Sequence, residues 1–218
     1  MRWHATACAA ALSMAGMAAW ACELPKGVDP SQIVPTVWKR AAAAAQFAPK
    51  GGKVTPTQDI NEELTAVFAE NKKSVLSYFR VPASQAACWK ERGTLARHLS
   101  VMVRQIQAIN TTQSPEGVMT VDAGGQFDSG LILAHPILVR ASGWSVEPLA
   151  VGIPARDQLL VADPRQAQAI GHLKEMVAKA YRERHNAISD QVFLVSSCQI
   201  SVLKDSLPVS EQGHACTH

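Results

Sequence analysis

Three groups of residues carry side chains that could do chemistry. His214, Cys216 and His218 alternate close to the C-terminus. An extended segment would project them on one side, and imidazole and thiolate are ligands for zinc or copper. A span of five residues with no fourth ligand nearby makes a loose site, and a disulfide at Cys216 would remove the thiolate. A polar tail is therefore expected there, and no cofactor. Arg156 and Asp157 follow Pro154 just before an apolar run. Arginine presents five fixed donors suited to a carboxylate or phosphate, and the proline limits the entropy lost on ordering. Such a turn could hold a ligand or partner. In the competing reading Asp157 closes the turn and Arg156 points into water. The third group is Ser129 with Asp128 and His135, close in sequence but not thereby a triad.

Other patterns fall short of a motif. Ser142-Gly143-Trp144-Ser145-Val146 lacks the second glycine of a nucleophile elbow. Asp122-Ala123-Gly124-Gly125 is not followed by Gly-Lys-Ser/Thr, so it is not a phosphate loop. His98 and His172 each lie on a predicted helix without a Glu or His at i+4, and both are expected to face solvent. Arg182, Glu183 and Arg184 read as a solvated helix end whose cations suit the dipole.

The cysteines bear on where the chain goes. Arg2 and His4 precede an uncharged, small-residue stretch over 5–19, and Ala19-Trp20-Ala21 is an A-x-A cleavage pattern. Residues 1–21 are thus expected to be a secretory signal, and the protein to be periplasmic or secreted. Cys22 would be the first mature residue, so it is also a candidate for lipidation, the one route to a membrane. Cys22, Cys88, Cys198 and Cys216 allow three disulfide connectivities. A Cys198–Cys216 staple would leave Cys22 with Cys88 unless Cys22 carries lipid. Cys88 and Cys198 could also be reduced core residues.

These groups need elements to position them. The chain has 218 residues, 47% hydrophobic and 18% charged, a globular rather than disordered composition. Lys+Arg is 21 and Asp+Glu is 18, too small an excess to argue for a nucleic-acid partner. Helical spacing of Ile33, Val37, Ala41 and Ala44 predicts a first helix from Ser31 to Phe47. Residues 63–69 and 74–81 read as a β-hairpin about a turn at 70–73. Leu95, Leu99, Met102, Ile106 and Ile109 predict a helix over 94–109. A loop follows over 111–117. Apolar runs at 118–121, 131–139, 149–153 and 158–161 read as strands, with Pro136 an edge or a break. Asp163 and Pro164 introduce a helix over 166–184, with Ile170, Leu173, Val177 and Ala180 facing inward. A last strand is expected over 192–203. The order predicts an α+β fold: one mainly antiparallel sheet with the helices on one face, spanning 22–203, then a polar tail over 204–218.

Several segments together resemble the YtpQ-like bacterial family of unknown function. They are Ile-Val-Pro-Thr-Val at 33–37, Asn-Glu-Glu-Leu-Thr-Ala-Val-Phe-Ala-Glu at 61–70 and Ser-Tyr-Phe at 77–79. The most specific is Gly-Ile-Pro-Ala-Arg-Asp-Gln-Leu-Leu-Val at 152–161, similar to an iPxRDxLLv signature. His-Asn-Ala-Ile-Ser-Asp-Gln-Val-Phe at 185–193 is similar to the closing segment. The resemblance spans about residues 30–200 and implies the order of elements. It brings no activity, cofactor or catalytic residue. The signal sequence and the cysteines depart from the typical member.

The function expected is that of an exported, non-catalytic binding or interaction protein for an unknown protein or small molecule. The alternative is an extracytoplasmic hydrolase built from dispersed residues such as Asp128, His135 and Asp157.

Overall fold

Ile33, Val34, Thr36 and Val37 are β-branched, and in the computed structural model they form a strand rather than the expected helix. The structure describes residues 22–73, 75–144 and 147–204. A short 3-10 turn at Pro30–Gln32 leads into β1 (Ile33–Lys39), and the helix α1 is confined to the alanine run Arg40–Gln46. Branched side chains stiffen χ1 and suit a pleated, buried surface. Pro35 is tolerated because β1 pairs on one side only.

The first sheet is built around β4 (Leu64–Lys72). It pairs antiparallel with β1 along one edge, and with β3 (Thr57–Asp59) and β5 (Val75–Tyr78) along the other. The β4–β5 hairpin is the expected one, though β4 runs on through Lys72. Its turn carries Lys73 at φ 64°, and Ser74 lies outside the described residues. A small second sheet joins β2 (Lys53–Val54) to β6 (Val81–Pro82).

The third sheet has six strands, in the order β12-β11-β9-β10-β8-β7, every neighbour antiparallel. They are β7 (Asn110–Gln113), β8 (Met119–Asp122), β9 (Leu149–Ala155), β10 (Gln158–Ala162), β11 (Val192–Val195) and β12 (Ile200–Val202). β7 replaces the start of the expected loop. The expected last strand is a hairpin, because Ser196 turns the chain: its N–H donates to Gln199 O at 2.9 Å. Residues 131–139 are not a strand. They form a 3-10 turn (Ser129–Leu133) and helix α3 (His135–Ser142). Pro136 is an N-terminal helix proline there, and Gly143 at φ 68° ends the helix.

The chain therefore makes several antiparallel sheets, not the single one expected. Nor do the helices share a face. The alternation of β9, β10 and β11 shows why. Val151, Leu159 and Phe193 face a core shared with Val34, Val37 and Leu64 of the first sheet. Ala150, Leu160 and Leu194 face α4 (Ala167–Glu183), which lays Ala169, Leu173 and Val177 on them. Helix α2 (Arg92–Gln105) lies instead against β1, with Val101 and Met102 in the shared core. It stops at Gln105, so Ile106 and Ile109 follow the helix.

His98 is 7% exposed, not solvent-facing. Its ring stacks on Trp89 at 5.5 Å and meets Phe68 edge-on, within the cluster of Ile33, Phe68, Phe79 and Trp89. His172 is half-exposed, its Nε2 3.5 Å from the Glu116 carboxylate. Among the described residues no helix is long and apolar enough to cross a membrane.

Candidate functional site

Arg156 and Asp157 form the turn between β9 and β10, so the family-like segment is this hairpin. Asp157 accepts from Asn186 Nδ2 at 2.9 Å and from Arg184 Nη1 at 3.2 Å. It thus ties the turn to the chain beyond α4, and Arg184 is not merely solvated. Arg156 is held by its backbone on both sides: its N–H donates to Asn186 O and its carbonyl accepts from Ser129 N–H. Its guanidinium lies over the Trp38 ring, 4.4 Å from the centroid. The indole N–H of Trp38 donates to Thr36 Oγ1 and Tyr78 Oη, each at 3.2 Å, and Phe47 packs edge-on against the ring. The Arg156–Trp38 contact joins the six-stranded sheet's turn to the first sheet, so Arg156 does not point freely into water.

Asp128 is 2% exposed and closes the glycine-rich segment. Its Oδ1 accepts from Ala123 N–H at 2.7 Å and Gly125 N–H at 3.3 Å. Burial, with the Asp122 and Asp157 carboxylates nearby, pushes its pKa above the ordinary carboxylate value. Among the described residues no hydrogen bond joins Ser129, Asp128 and His135 to one another. Ser145 and Val146 lie outside the described residues.

His135 is elsewhere. It opens α3 on the floor of a cleft of about 760 Å³ between the first and third sheets. Gln58 and Asp59 of β3 form one wall, Leu95 and Leu99 of α2 another, and the Ser196–Ser201 turn the third. Asn61 fastens the walls together. Its Oδ1 accepts from Glu63 N–H and Leu64 N–H, and its Nδ2 donates to Ile200 O at 3.2 Å. The β11–β12 turn is shaped by Ser196, whose Oγ accepts from Gln199 N–H at 3.1 Å.

Two buried polar atoms in this cleft, His135 Nε2 and Gln58 Oε1, have no hydrogen-bond partner among the described residues. Glu147 Oε1 is 4.0 Å from His135 Nε2 and accepts from Ser197 N–H at 2.6 Å. Burial pushes the His135 pKa below the ordinary value, and the Glu147 carboxylate pulls weakly the other way. Burial thus favours the neutral ring, which can give or take one hydrogen bond at Nε2. Buried polar groups are normally satisfied, so such a pair is what a ligand would complete.

Of the sequence candidates, the structure brings Arg156 and Asp157 together and leaves both apart from His135's cleft. Gln58, Asn61 and Ser196 were missed. They come from three separate strands and turns, and no spacing links them. Cys22 and Cys88 form a disulfide. Cys198 is disulfide-bonded as well. His214, Cys216 and His218 lie outside the described residues. Among the described residues no group of three His, Cys, Asp or Glu could hold a metal ion.

Fold and cleft together define an α+β protein with several antiparallel sheets and a polar-floored cleft between two of them. Comparison with protein-family models, curated proteins and solved structures finds no match.

Proposed function

We propose that this is an exported, non-catalytic binding protein that receives its ligand in the cleft over His135. The observation that carries the reading is the pair of buried atoms without a hydrogen-bond partner, His135 Nε2 and Gln58 Oε1, on two residues that line the cleft of about 760 Å³. A concave site with a few convergent polar groups and a perturbed histidine is the physical signature of a ligand pocket. Against the hydrolase alternative, no serine hydroxyl among the described residues hydrogen-bonds to His135, and Asp128 is spent on backbone N–H groups. Export is supported by the Cys22–Cys88 disulfide, a bond that persists in oxidising compartments. Membership of the YtpQ-like family belongs to the same reading and rests on the segments at 33–37 and 152–161.

The test is ligand titration followed at the histidine rings. With ¹³C-labelled histidine, the His135 signal is assigned by its loss in His135→Gln. Fragments of positive, negative and no charge are then added. Movement of the His135 signal alone, with the His98 signal still, supports the cleft. If no fragment of any charge moves it, the cleft reading falls.

A further inference from the structure

The walls of the cleft narrow what it can receive. Beside His135 and Gln58, which carry the two unpartnered atoms, the lining includes the aliphatic side chains of Leu95, Leu99, Ile132, Leu133 and Pro136. Among the described residues no Phe, Tyr or Trp lines the cleft, and the one aromatic ring on the lining is the largely buried His135 imidazole. The charges are one-sided. Asp59 and Glu62 are on the lining, and no Lys or Arg is, in a chain where Lys and Arg outnumber Asp and Glu by 21 to 18. The Asp59 side chain is 64% exposed and pairs with Arg40 Nε at 3.6 Å, and Arg40 Nη2 also donates to Asn61 O at the edge of the cleft. A third carboxylate, Glu147, lies beside His135.

We propose that the ligand of this cleft is an aliphatic amine: an ammonium group on an alkyl body. The inference rests on the cleft being a binding site and adds the chemical class. An ammonium brings three donors and no acceptor. Gln58 Oε1 and His135 Nε2, in its Nδ1–H tautomer, can both accept from it. The Asp59 and Glu62 carboxylates supply a favourable potential, and the alkyl stem buries against the leucine and isoleucine wall. A carboxylate or phosphate would meet acceptors and negative charge where it needs donors.

The experiment uses the disulfide-oxidised protein and four probes of one length: hexylamine, 1,6-diaminohexane, hexanol and hexanoate. N-acetyl-lysine methylamide is a fifth. Both amines should move the His135 signal, with dissociation constants at least tenfold below that of hexanol, and hexanoate should not bind. Asp59→Asn with Glu62→Gln should weaken hexylamine at least tenfold while the melting temperature stays within a few degrees. Equal or tighter binding of the lysine derivative supports a lysine side chain as the source of the amine, and weaker binding a free amine. Hexanoate or hexanol binding as tightly as hexylamine overturns the amine assignment, and so does full affinity in the double variant. In both cases the cleft reading stands. Silence of His135 toward every probe overturns both.

Discussion

At the scale of single residues, the turn at Arg156 and Asp157 is a structural joint. Asp157 holds Arg184 and Asn186, while Arg156 holds Trp38. Both contacts are partly exposed, so each is worth about 1 kcal/mol or less. Asp157→Ala and Arg156→Ala should each lower the unfolding free energy by roughly that amount, measured by denaturant titration. Neither should change ligand response at His135. A larger loss of binding than of stability in Arg156→Ala would return this turn to the list of sites. His98 makes a pH prediction. Burial lowers its pKa below the ordinary 6.5, with the Ile33 carbonyl working weakly against that and Arg97 weakly with it. The unfolded chain then takes up a proton near the ordinary value while the native ring stays neutral. The unfolded state binds more protons in that window, so stability falls as pH drops below about 6.5. His135 works in the same direction. Asp128, with its raised pKa, works oppositely and only toward the carboxylate range. Denaturation midpoints at pH 7.5 and pH 5 should differ, and less so in His98→Phe, which keeps a ring against Trp89. An equal acid loss in that variant would assign the effect elsewhere.

At the scale of elements, the six-stranded sheet depends on one close approach. Gly152 of β9 lies under α4, where an added Cβ would sit 2.2 Å from Val177 Cγ2. Gly152→Ala should therefore force α4 off the sheet and cost on the order of 1–3 kcal/mol, as overpacking does. Gly152→Ala with Val177→Ala should recover part of it, and a thermal melt of the pair reads this out. No recovery would mean that Val177 is not the obstacle. The same sheet shows what was legible. Helix α4 follows from its 3.6-residue apolar spacing, and strands β9 and β10 from short unbroken apolar runs bounded by turn residues. Residues 31–47 misled because Val37, Ala41 and Ala44 fit a helical spacing across what is a strand joined to a helix. The burial of Val34 and Thr36 beside Ile33 and Val37, which marks a strand covered on both faces, is set by partners that no local pattern reveals. Residues 131–139 misled through Pro136, which suits a strand edge and a helix start equally. The cleft was the least legible part, since it is made by β3, α2, α3 and the β11–β12 turn meeting in space.

At the scale of the whole molecule, the Cys22–Cys88 bond sets how the N-terminal segment is held. It closes a separation of 66 residues and pins Cys22 and Leu24 against the cluster of Ile33, Phe68 and Trp89. Chain entropy makes such a closure worth about 4 kcal/mol. That corresponds to a fall in melting temperature on the order of 10 °C for a chain of this size. Cys22→Ser with Cys88→Ser should show a fall of that order, and the Cys198 disulfide, untouched, serves as the internal control. The bond also decides between the two fates of Cys22. A lipid thioether and a disulfide need the same sulfur, so one chain cannot carry both. Where the bond forms, the protein carries no lipid on Cys22. Peptide mass mapping of protein recovered from the cell envelope, before and after reduction, distinguishes them. A 2 Da gain on reduction of a peptide pair containing Cys22 and Cys88 supports the bond. A diacylglycerol adduct on Cys22 would show that this disulfide is absent from the protein recovered, and would place the N-terminal segment at a membrane instead of against Trp89.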